Sequence, residues 1–305
     1  MSAGATDVAQ AREAARRRRT QLFVPANKAA FVGKAAVAGA DAVILDLEDS
    51  VPADQRDVAR DALAAAVAEL GAIDPDLHVL VRVNADESLA DDVRAAVAAG
   101  AHAVLLPKTE SAEDVRRLEA LLDEAERSTD RPAGRTELQL LVETPRGLLD
   151  IAAIAAAGER VVAMMLGIED LSTELEIDPR SPDFDVRWAH GLLIVAARAH
   201  GLAPYGLMGS LANFRDLPAL AVDARQARAF GYLGALCIHP VQVELLNEAF
   251  SPIADEIAQA QAVVAALEQG QRDGTAAVKI GGRMIDTPMG ERARRLLARA
   301  GLASS

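Results

Sequence analysis

The sequence predicts an α/β fold, a (β/α)8 TIM barrel with a C-terminal helical or lid extension. Three observations predict it: eight short apolar segments rich in β-forming residues, alanine-rich helical segments between them, and a length of 305 residues. Strands that alternate with helices are typical of a parallel sheet, and eight such units favour closure into a barrel. The length suits a barrel of roughly 250 residues with additions.

Eight segments carry the strand pattern. They are 21–25, 41–48, 78–84, 101–108, 138–144, 161–168, 203–208 and 234–240. Helical segments between them are long enough for right-handed crossovers, for example 28–38, 54–70, 112–126, 147–157, 185–200 and 217–230. Gly39 and Gly100 stand where two helices should end in a left-handed cap, and Ser111 with Asp114 forms a capping-box start.

The chain is expected to have three parts. Residues 1–18 are small, polar and finally basic, and we interpret them as a flexible, solvated N-terminal arm. The barrel then occupies residues 19–250, and residues 251–305 add a helix and a lid. The Gly281-Gly282 pair inside this extension predicts a turn or hinge.

Composition limits the classes of function. A formal charge of −13 disfavours general nucleic-acid binding, which needs a basic surface. The single cysteine, Cys237, excludes an intrachain disulfide and suits a reducing compartment. No apolar run approaches the roughly 20 residues of a membrane span. We therefore expect a cytoplasmic protein with small-molecule partners, without nucleic acid or membrane.

The reactive residues of a barrel stand at the carboxyl ends of its strands and in the loops that follow. Carboxylates dominate these positions, with one arginine and one lysine opposing them. The polar residues there are Asp46, Glu48, Asp49, Arg82, Asn84, Lys108, Glu143, Thr144, Glu169, Asp170 and His239. Clustered carboxylates repel one another unless a cation neutralises them, so we expect a bound metal.

Glu143 and Asp170 follow neighbouring predicted strands and are the expected metal ligands. Oxygen ligands indicate Mg2+, or Mn2+ in its place, because the sequence has no cysteine and histidine set with zinc spacing. For Asp170 alone, capping of the following helix is an alternative of about equal weight. Arg82 suits a bidentate contact with a substrate carboxylate. Its alternative role is a buried salt bridge with Glu48 or Asp49, and both roles can hold at once.

Other chemistries find little support in the sequence. His239 is interpreted as a hydrogen-bonded structural residue rather than a catalyst. Cys237 lies within an apolar strand with no base nearby in sequence, which disfavours a thiol nucleophile. The chain has no Gly-x-Ser-x-Gly elbow, Walker loop or Gly-x-Gly-x-x-Gly fingerprint, which disfavours hydrolase, kinase and dehydrogenase functions.

Eight motifs occur in order over about residues 19–290. They are Arg19-Thr-Gln-Leu-Phe-Val-Pro, Val43-Ile-Leu-Asp-Leu-Glu-Asp-Ser-Val, Val81-Arg-Val-Asn, Leu105-Leu-Pro-Lys, Leu141-Val-Glu-Thr-Pro-Arg-Gly, Gly167-Ile-Glu-Asp-Leu, Cys237-Ile-His-Pro and Gly282-Arg-Met-Ile-Asp-Thr-Pro. Together they resemble the citrate lyase β-subunit family. That family includes malyl-CoA and citramalyl-CoA lyases and belongs to the HpcH/HpaI aldolase superfamily.

The resemblance implies a metal held by Glu143 and Asp170. The substrate contacts that it implies are Arg82, Glu143 and the backbone N–H groups around Gly167, Ile168 and Glu169. It also implies CoA phosphates near Arg19 and Lys28. An aspartate matching Asp286 acts in relatives as an acid/base in the site of a neighbouring subunit, in a homotrimer or hexamer.

Two segments depart from the family pattern. Relatives often carry Pro-Gly-Asn/Asp-Arg-Pro after the first strand, whereas residues 25–29 read Pro-Ala-Asn-Lys-Ala, so that Lys28 replaces an arginine. At the seventh strand, residues 204–210 replace the usual Ile-Asp segment. The first departure bears on the CoA contact and the second on specificity for the acyl group.

The expected reaction is a reversible, magnesium-dependent Claisen cleavage. A 3-hydroxyacyl-CoA such as malyl-, citramalyl- or citryl-CoA would give acetyl-CoA, or a close analogue, and a 2-oxo acid. Arg82 would balance charge, Glu48 and Asp49 would orient it and metal-bound water, and Asp286 would protonate the thioester enolate. The alternatives are a malyl-CoA-type thioesterase, a class II 2-oxo acid aldolase and a non-catalytic citrate lyase subunit.

Overall fold

The computed structural model describes residues 3–181, 183–212 and 214–302. It divides into two compact units, Met1–Phe250 and Ser251–Ser305. Residues 1–2 of the expected arm and residues 303–305 of the expected extension lie outside the described residues.

The first unit contains eight parallel strands in the order β7-β6-β5-β4-β3-β2-β1-β8. They are β1 Thr20–Pro25, β2 Ala42–Asp46, β3 His78–Arg82, β4 Ala103–Leu106, β5 Glu137–Val142, β6 Val161–Leu166, β7 Ala203–Tyr205 and β8 Ala235–Cys237. A bridge between Tyr205 and Gly234 links the two ends of the sheet. The predicted (β/α)8 barrel is therefore confirmed.

Helices connect and surround the strands. They are α1 Ala3–Ala15, α2 Ala29–Ala36, α3 Arg56–Ile73, α4 Leu89–Ala99, α5 Ala112–Ser128, α6 Pro145–Leu149, α7 Ile151–Ala156, α8 Ile168–Glu174, α9 Arg187–Ala199, α10 Leu217–Phe230 and α11 Val243–Phe250. Gly100 ends α4 with a left-handed φ of +89°, and Ser111 starts α5 with a capping box completed by Asp114.

The strands are buried on both faces because they lie between the barrel interior and the helices. On β2, Val43 and Leu45 pack in the larger core, between the strands and the helices, whereas Ile44 packs with the residues inside the barrel. Successive side chains of a strand alternate in direction, so Asp46 points to the same side as Ile44. The last residue of β2 therefore places a carboxylate inside the barrel mouth.

The expectation of a solvated N-terminal arm is wrong for the last part of residues 1–18. Arg12 Nε of α1 donates to the Val161 carbonyl at 3.0 Å, and Arg16 Nη2 donates to the Gly201 carbonyl at 3.2 Å. The Tyr205 hydroxyl donates to the carbonyl of Ala15, whose side chain is fully buried. These partners lie at or near the strands β6 and β7, so α1 is docked on the barrel.

The second unit consists of two helices and a hairpin. They are α12 Ala254–Arg272, β9 Val278–Ile280, β10 Arg283–Ile285 and α13 Thr287–Arg299. The strands β9 and β10 pair antiparallel, with Gly281 and Gly282 at φ +53° and +81° between them, as the glycine pair predicted. Ala260 and Val264 of α12 pack against Ala293 and Leu297 of α13. Across the described ranges, no helix has the length and apolarity needed to cross a bilayer.

Candidate metal and substrate site at the barrel mouth

Arg82 and Asp46 form the buried centre of the mouth. They are register partners at the ends of β3 and β2. Arg82 Nε and Nη2 each donate at 2.6 Å, to Asp46 Oδ1 and Oδ2 respectively. Burial alone would raise the pKa of Asp46, but the hydrogen bonds and charge of Arg82 outweigh it and lower that pKa. The pair stays ionised and fixes the plane of the guanidinium.

Two further carboxylates and one ring surround the same guanidinium. Arg82 Nη1 lies 2.9 Å from Glu48 Oε2 and donates to Asp49 Oδ2 at 3.0 Å. The guanidinium carbon lies 4.8 Å from the centroid of the Phe23 ring on β1, in cation–π geometry. The guanidinium is thus held by three carboxylates and stacked on an aromatic ring.

Sequence reasoning missed the role of Asp46. It assigned the orientation of Arg82 to Glu48 and Asp49, whereas the two-point contact belongs to Asp46. Asp46 also accepts the backbone N–H groups of Glu48 at 3.0 Å and Ser50 at 3.1 Å, and the Ser50 hydroxyl. The predicted strands ended at Glu48 and Asn84, so no signal in the sequence selected Asp46, and the register of β2 with β3 is what pairs it with Arg82.

Glu143 follows β5 and is 3% exposed. Burial first, and the negative charge of Asp170 second, raise its pKa to about 8. One of its oxygens, Oε1, accepts the backbone N–H of Lys108 at 2.8 Å. A Cβ on Gly167 would overlap Glu143 Oε2 and lie 2.6 Å from its Cβ, so glycine at the end of β6 leaves room for this carboxylate.

Asp170 lies half-buried in the first turn of α8. The N-cap of that helix is Gly167, so the cap position itself is not occupied by Asp170. The neighbouring Glu169 is exposed and accepts a hydrogen bond from the Ser210 hydroxyl, in the segment after β7 that departs from the family pattern. The start of α8 therefore presents a carboxylate toward Glu143 and is tied to the loop after β7.

Lys108 contacts both Glu143 and Glu48. Its backbone N–H donates to Glu143, and its Nζ donates to Glu48 Oε1 at 2.7 Å. The same Nζ lies 4.0 Å from Asp49 Oδ1. Sequence reasoning noted Lys108 at its strand end but gave it no role.

The structure does not bring Arg19 to the mouth, which corrects its assignment to the same phosphate site as Lys28. Arg19 precedes β1 and pairs with Asp41, through Nε at 2.8 Å and Nη2 at 2.7 Å. Lys28 follows β1 and is exposed at the start of α2. The strand separates the two residues by roughly 20 Å, since each residue of a parallel strand advances about 3.3 Å.

Asp286 belongs to the second unit. It is exposed and caps α13, with its side chain accepting the backbone N–H of Met289 at 3.3 Å. Within the first unit, His239 accepts the Val241 N–H at 3.2 Å and stacks on Phe214. Cys237 is buried, and burial raises the pKa of its thiol, which leaves it a poor nucleophile.

Two carboxylates at the mouth fit a magnesium ion. Among the described residues no group of three histidine, cysteine or acidic side chains is placed to hold a metal. Mg2+ commonly binds through one or two carboxylates and takes the rest of its octahedron from water and substrate oxygens. The buried Glu143, whose ionised form is disfavoured by burial and by Asp170, would regain a favourable charge state beside a divalent cation.

Residues 19–240 match the HpcH/HpaI aldolase/citrate lyase family. The chain belongs to this family. It is 35% identical to the citrate lyase subunit beta of Escherichia coli K12, over 94% of this chain and 95% of that protein. It is 34% identical to a (3S)-malyl-CoA thioesterase of Cereibacter sphaeroides, over 92% of this chain and 94% of that protein.

A solved structure shares the fold. It is protein CitE from Mycobacterium tuberculosis in complex with magnesium, acetoacetate and coenzyme A, with a TM-score of 0.74 and 33% identity. The match covers 94% of this chain and 99% of the solved one. The expected family, barrel fold and lyase class are confirmed by these similarities.

Proposed function

We propose that this chain is a magnesium-dependent carbon–carbon lyase that acts on a 3-hydroxyacyl-CoA. Its products would be acetyl-CoA, or a close analogue, and a 2-oxo acid. The observation that carries the proposal is the pairing of a buried Glu143 with Asp170 at the same barrel mouth as the Arg82 guanidinium. A magnesium complex with coenzyme A in a relative of 33% identity supports the cofactor and the thioester.

Glu143 and Asp170 would hold Mg2+, with Mn2+ able to take its place. The ion would supply a positive charge that polarises the carbonyl of the nascent 2-oxo acid. Arg82 is charged and its guanidinium plane is fixed by Asp46, so it would bind the substrate carboxylate in a set orientation. Its pKa is raised, because the hydrogen bonds and charges of Asp46, Glu48 and Asp49 outweigh burial.

Backbone N–H groups complete the proposed substrate contacts. The first amides of a helix have no intrahelical partner. Ile168 and Glu169 open α8 directly after Gly167, beside the metal ligand Asp170. They would donate to oxygens of the 2-oxo acid portion. Lys28, exposed in the loop after β1, would meet a phosphate of CoA.

The proton balance assigns a role to Asp286. Cleavage would pass the proton of the substrate hydroxyl to a water that Glu48 and Asp49 orient, break the carbon–carbon bond and leave a thioester enolate with the electron pair. Asp286, as the acid, would protonate that carbon, and in the synthetic direction it would be the base. As the resemblance to relatives implies, Asp286 would act in the site of a neighbouring subunit of a homotrimer or hexamer.

A thioesterase is the second candidate, and the 34% identical malyl-CoA thioesterase favours it. Hydrolysis consumes one water, breaks the carbon–sulfur bond and releases free CoA with an intact hydroxy acid. Cleavage by the lyase consumes no water and releases a 2-oxo acid. The two reactions therefore differ in every product. A class II aldolase would instead act on free 2-oxo acids without CoA, and a non-catalytic subunit would do neither.

The test incubates the purified protein with Mg2+ and malyl-, methylmalyl-, citramalyl- or citryl-CoA. Phenylhydrazine traps any 2-oxo acid, a thiol reagent detects free CoA, and EDTA is added to a parallel series. We expect EDTA-sensitive release of a 2-oxo acid from one thioester. Free CoA without a 2-oxo acid would support the thioesterase, and silence across the panel would overturn both.

A further inference from the structure

Lys108 adopts a backbone conformation that disfavours a side chain. Its φ is +47°, in the left-handed region where a Cβ meets the following carbonyl. Among the described residues, the other non-glycine residues with positive φ are Asp130 and Glu176, which are exposed and follow helices. Lys108 instead follows a buried barrel strand. Such conformations persist where the surrounding structure fixes them, and they cluster at functional sites.

Neighbouring bonds fix this turn. The N–H of Thr109 donates to the Leu141 carbonyl of β5 at 3.1 Å, and the Thr109 hydroxyl donates to the Leu106 carbonyl at 3.1 Å. Thr109 is fully buried. Held in this way, the Lys108 N–H points at Glu143 Oε1, 2.8 Å away. The left-handed turn therefore aims an amide at the expected metal ligand.

The side chain of the same residue reaches a second part of the site. Lys108 Nζ donates to Glu48 Oε1 at 2.7 Å, while the other oxygen of Glu48 lies 2.9 Å from Arg82 Nη1. The Glu48 side chain is 8% exposed and that of Lys108 is 42% exposed. The buried carboxylate is thus held between an ammonium at the mouth and the guanidinium expected to bind substrate.

Glycine would meet the backbone requirement of position 108 with less strain. What lysine adds is the ammonium. Without the ammonium, Glu48 would keep the opposing charge of Arg82 alone. Burial already raises the pKa of Glu48, and removing the ammonium would remove a charge that lowers this pKa. The ammonium therefore keeps the bridge between position 108 and Arg82 in place.

We propose that Lys108 is a positioning residue that couples the two halves of the site. Its amide orients Glu143 toward the metal, and its ammonium holds Glu48 against Arg82. The inference rests on the proposed function, because it takes Glu143 as a metal ligand and Arg82 as a substrate contact. It adds that one residue, expected to touch neither metal nor substrate, links the proposed metal ligand Glu143 to the Glu48 carboxylate beside Arg82.

The test separates the amide from the ammonium. Lys108→Gly keeps the amide and the left-handed turn but removes the ammonium, Lys108→Met removes only the charge, and Lys108→Arg keeps it. We expect Lys108→Gly and Lys108→Met to lower kcat by about 10-fold or more, since small misplacements at a site cost up to about 100-fold. Lys108→Arg should recover most of kcat. The control is Lys34→Met, which removes an exposed ammonium from α2 and should leave kcat unchanged.

Direct binding measurements show which half of the site is affected. Because Lys108→Gly and Lys108→Met retain the amide, their affinity for Mn2+, measured by electron paramagnetic resonance, should stay within about threefold of the wild type. Their affinity for pyruvate in the presence of Mn2+, measured by calorimetry, should fall at least about fivefold, because Glu48 is no longer held in place beside Arg82 Nη1.

Two results would overturn the inference. One is a kcat and a pyruvate affinity within twofold of wild type in both charge-removing variants. The other is an equal loss in all three Lys108 variants together with a lower melting temperature, which would indicate a purely structural lysine. The proposed function is judged on the wild type alone: if the wild type binds Mn2+ without releasing a 2-oxo acid, that function fails, and pyruvate affinity still decides the role of Lys108.

Discussion

Arg82 and Asp46 meet through two parallel hydrogen bonds of 2.6 Å at register-paired positions of neighbouring strands. Asp46 is 1% exposed and Arg82 is 8% exposed. Because Nε and Nη2 are both engaged by Asp46, the rotation of the guanidinium is fixed and Nη1 is left for Glu48 and Asp49. The orientation of the proposed substrate arginine is therefore set by a buried strand residue rather than by a loop.

Asp46→Asn should reduce both stability and turnover. Removing one charge of a buried pair leaves the other uncompensated, at a cost of roughly 3–5 kcal/mol. Urea denaturation measures that loss, and kcat of the proposed reaction should fall at least about 100-fold as Arg82 loses its fixed orientation.

A matched control is Asp41→Asn, at the opposite end of the barrel. Asp41 contacts Arg19 in the same two-point manner but is more exposed. This variant should lose less stability and keep its kcat. An equal loss of kcat in the Asp41 and Asp46 variants would show that the effect of Asp46→Asn on turnover does not come from its contact with Arg82.

Gly167→Ala should disturb the site because the added Cβ overlaps Glu143. Overpacking of this kind typically lowers the free energy of unfolding by about 1–3 kcal/mol. The Glu143 carboxylate must move, so Mn2+ affinity should fall by about 10-fold or more. Gly191→Ala is the control, since its Cβ would meet no atom within 4 Å. Because Gly191 lies within the helix α9, alanine there should raise the free energy of unfolding by roughly 0.5–1 kcal/mol. Unchanged Mn2+ affinity in Gly167→Ala would contradict the placement of Glu143.

Features that neighbouring residues encode could be predicted from the sequence. Features that depend on contacts between residues far apart in the chain could not. The eight strands were found because alternation of strand and helix is local. The docked α1 was missed because its partners are far away in sequence: Arg12 bonds Val161, and Arg16 bonds Gly201. Within residues 8–18, the local composition of small and basic residues is the same for a solvated arm and for a docked helix.

The site shows the same limit. Strand ends identified the carboxylates of the mouth, yet three of the four residues at 46–49 are acidic, and only the register of β2 with β3 selects Asp46 as the two-point partner. Arg19 was misplaced because a family motif was applied without the direction of its strand. The left-handed turn at Lys108 has no local sequence signal, since lysine is not a residue that favours positive φ.

Metal binding should depend on pH through Glu143. Its pKa is raised to about 8 in the folded, metal-free protein, mainly by burial and then by Asp170. For a carboxyl with a raised pKa, the protonated form contributes to the free energy of unfolding. That contribution is fully present below the ordinary pKa of the group and is lost as pH rises through about 8. Metal binding must displace that proton, so Mn2+ affinity should rise by up to about tenfold per pH unit up to pH 8.

Calorimetry with Mn2+ at pH 6.5, 7.5 and 8.5 checks this dependence, with melting temperatures of the metal-free protein alongside. Glu143→Gln and Asp170→Asn should weaken binding, and Glu143→Gln should also flatten the fall in melting temperature with pH. Glu113→Gln, on the exposed face of α5, is the control and should change neither. A pH-independent Mn2+ affinity in the wild type would refute the assignment of Glu143.

Asp286 has two separable roles, as the cap of α13 and as the proposed acid/base. Asp286→Asn keeps a side-chain oxygen for the Met289 N–H, whereas Asp286→Ala removes the cap at a cost of about 1 kcal/mol. Both variants should retain Mn2+ affinity and lose at least about 100-fold in kcat, because neither side chain transfers a proton. Only Asp286→Ala should melt at a lower temperature.

Ser111→Ala controls for the loss of a cap. It removes the N-cap bond of α5 and should cost a similar amount of stability while keeping kcat. Turnover near the wild-type rate in Asp286→Asn would exclude the acid/base role, because only the cap survives in that variant. Loss of Mn2+ affinity, with turnover restored by excess metal, would instead assign Asp286 to the metal site. If Asp286 is the acid that protonates the enolate, Asp286→Asn should turn over slowly at an unchanged melting temperature, and excess metal should not restore the rate.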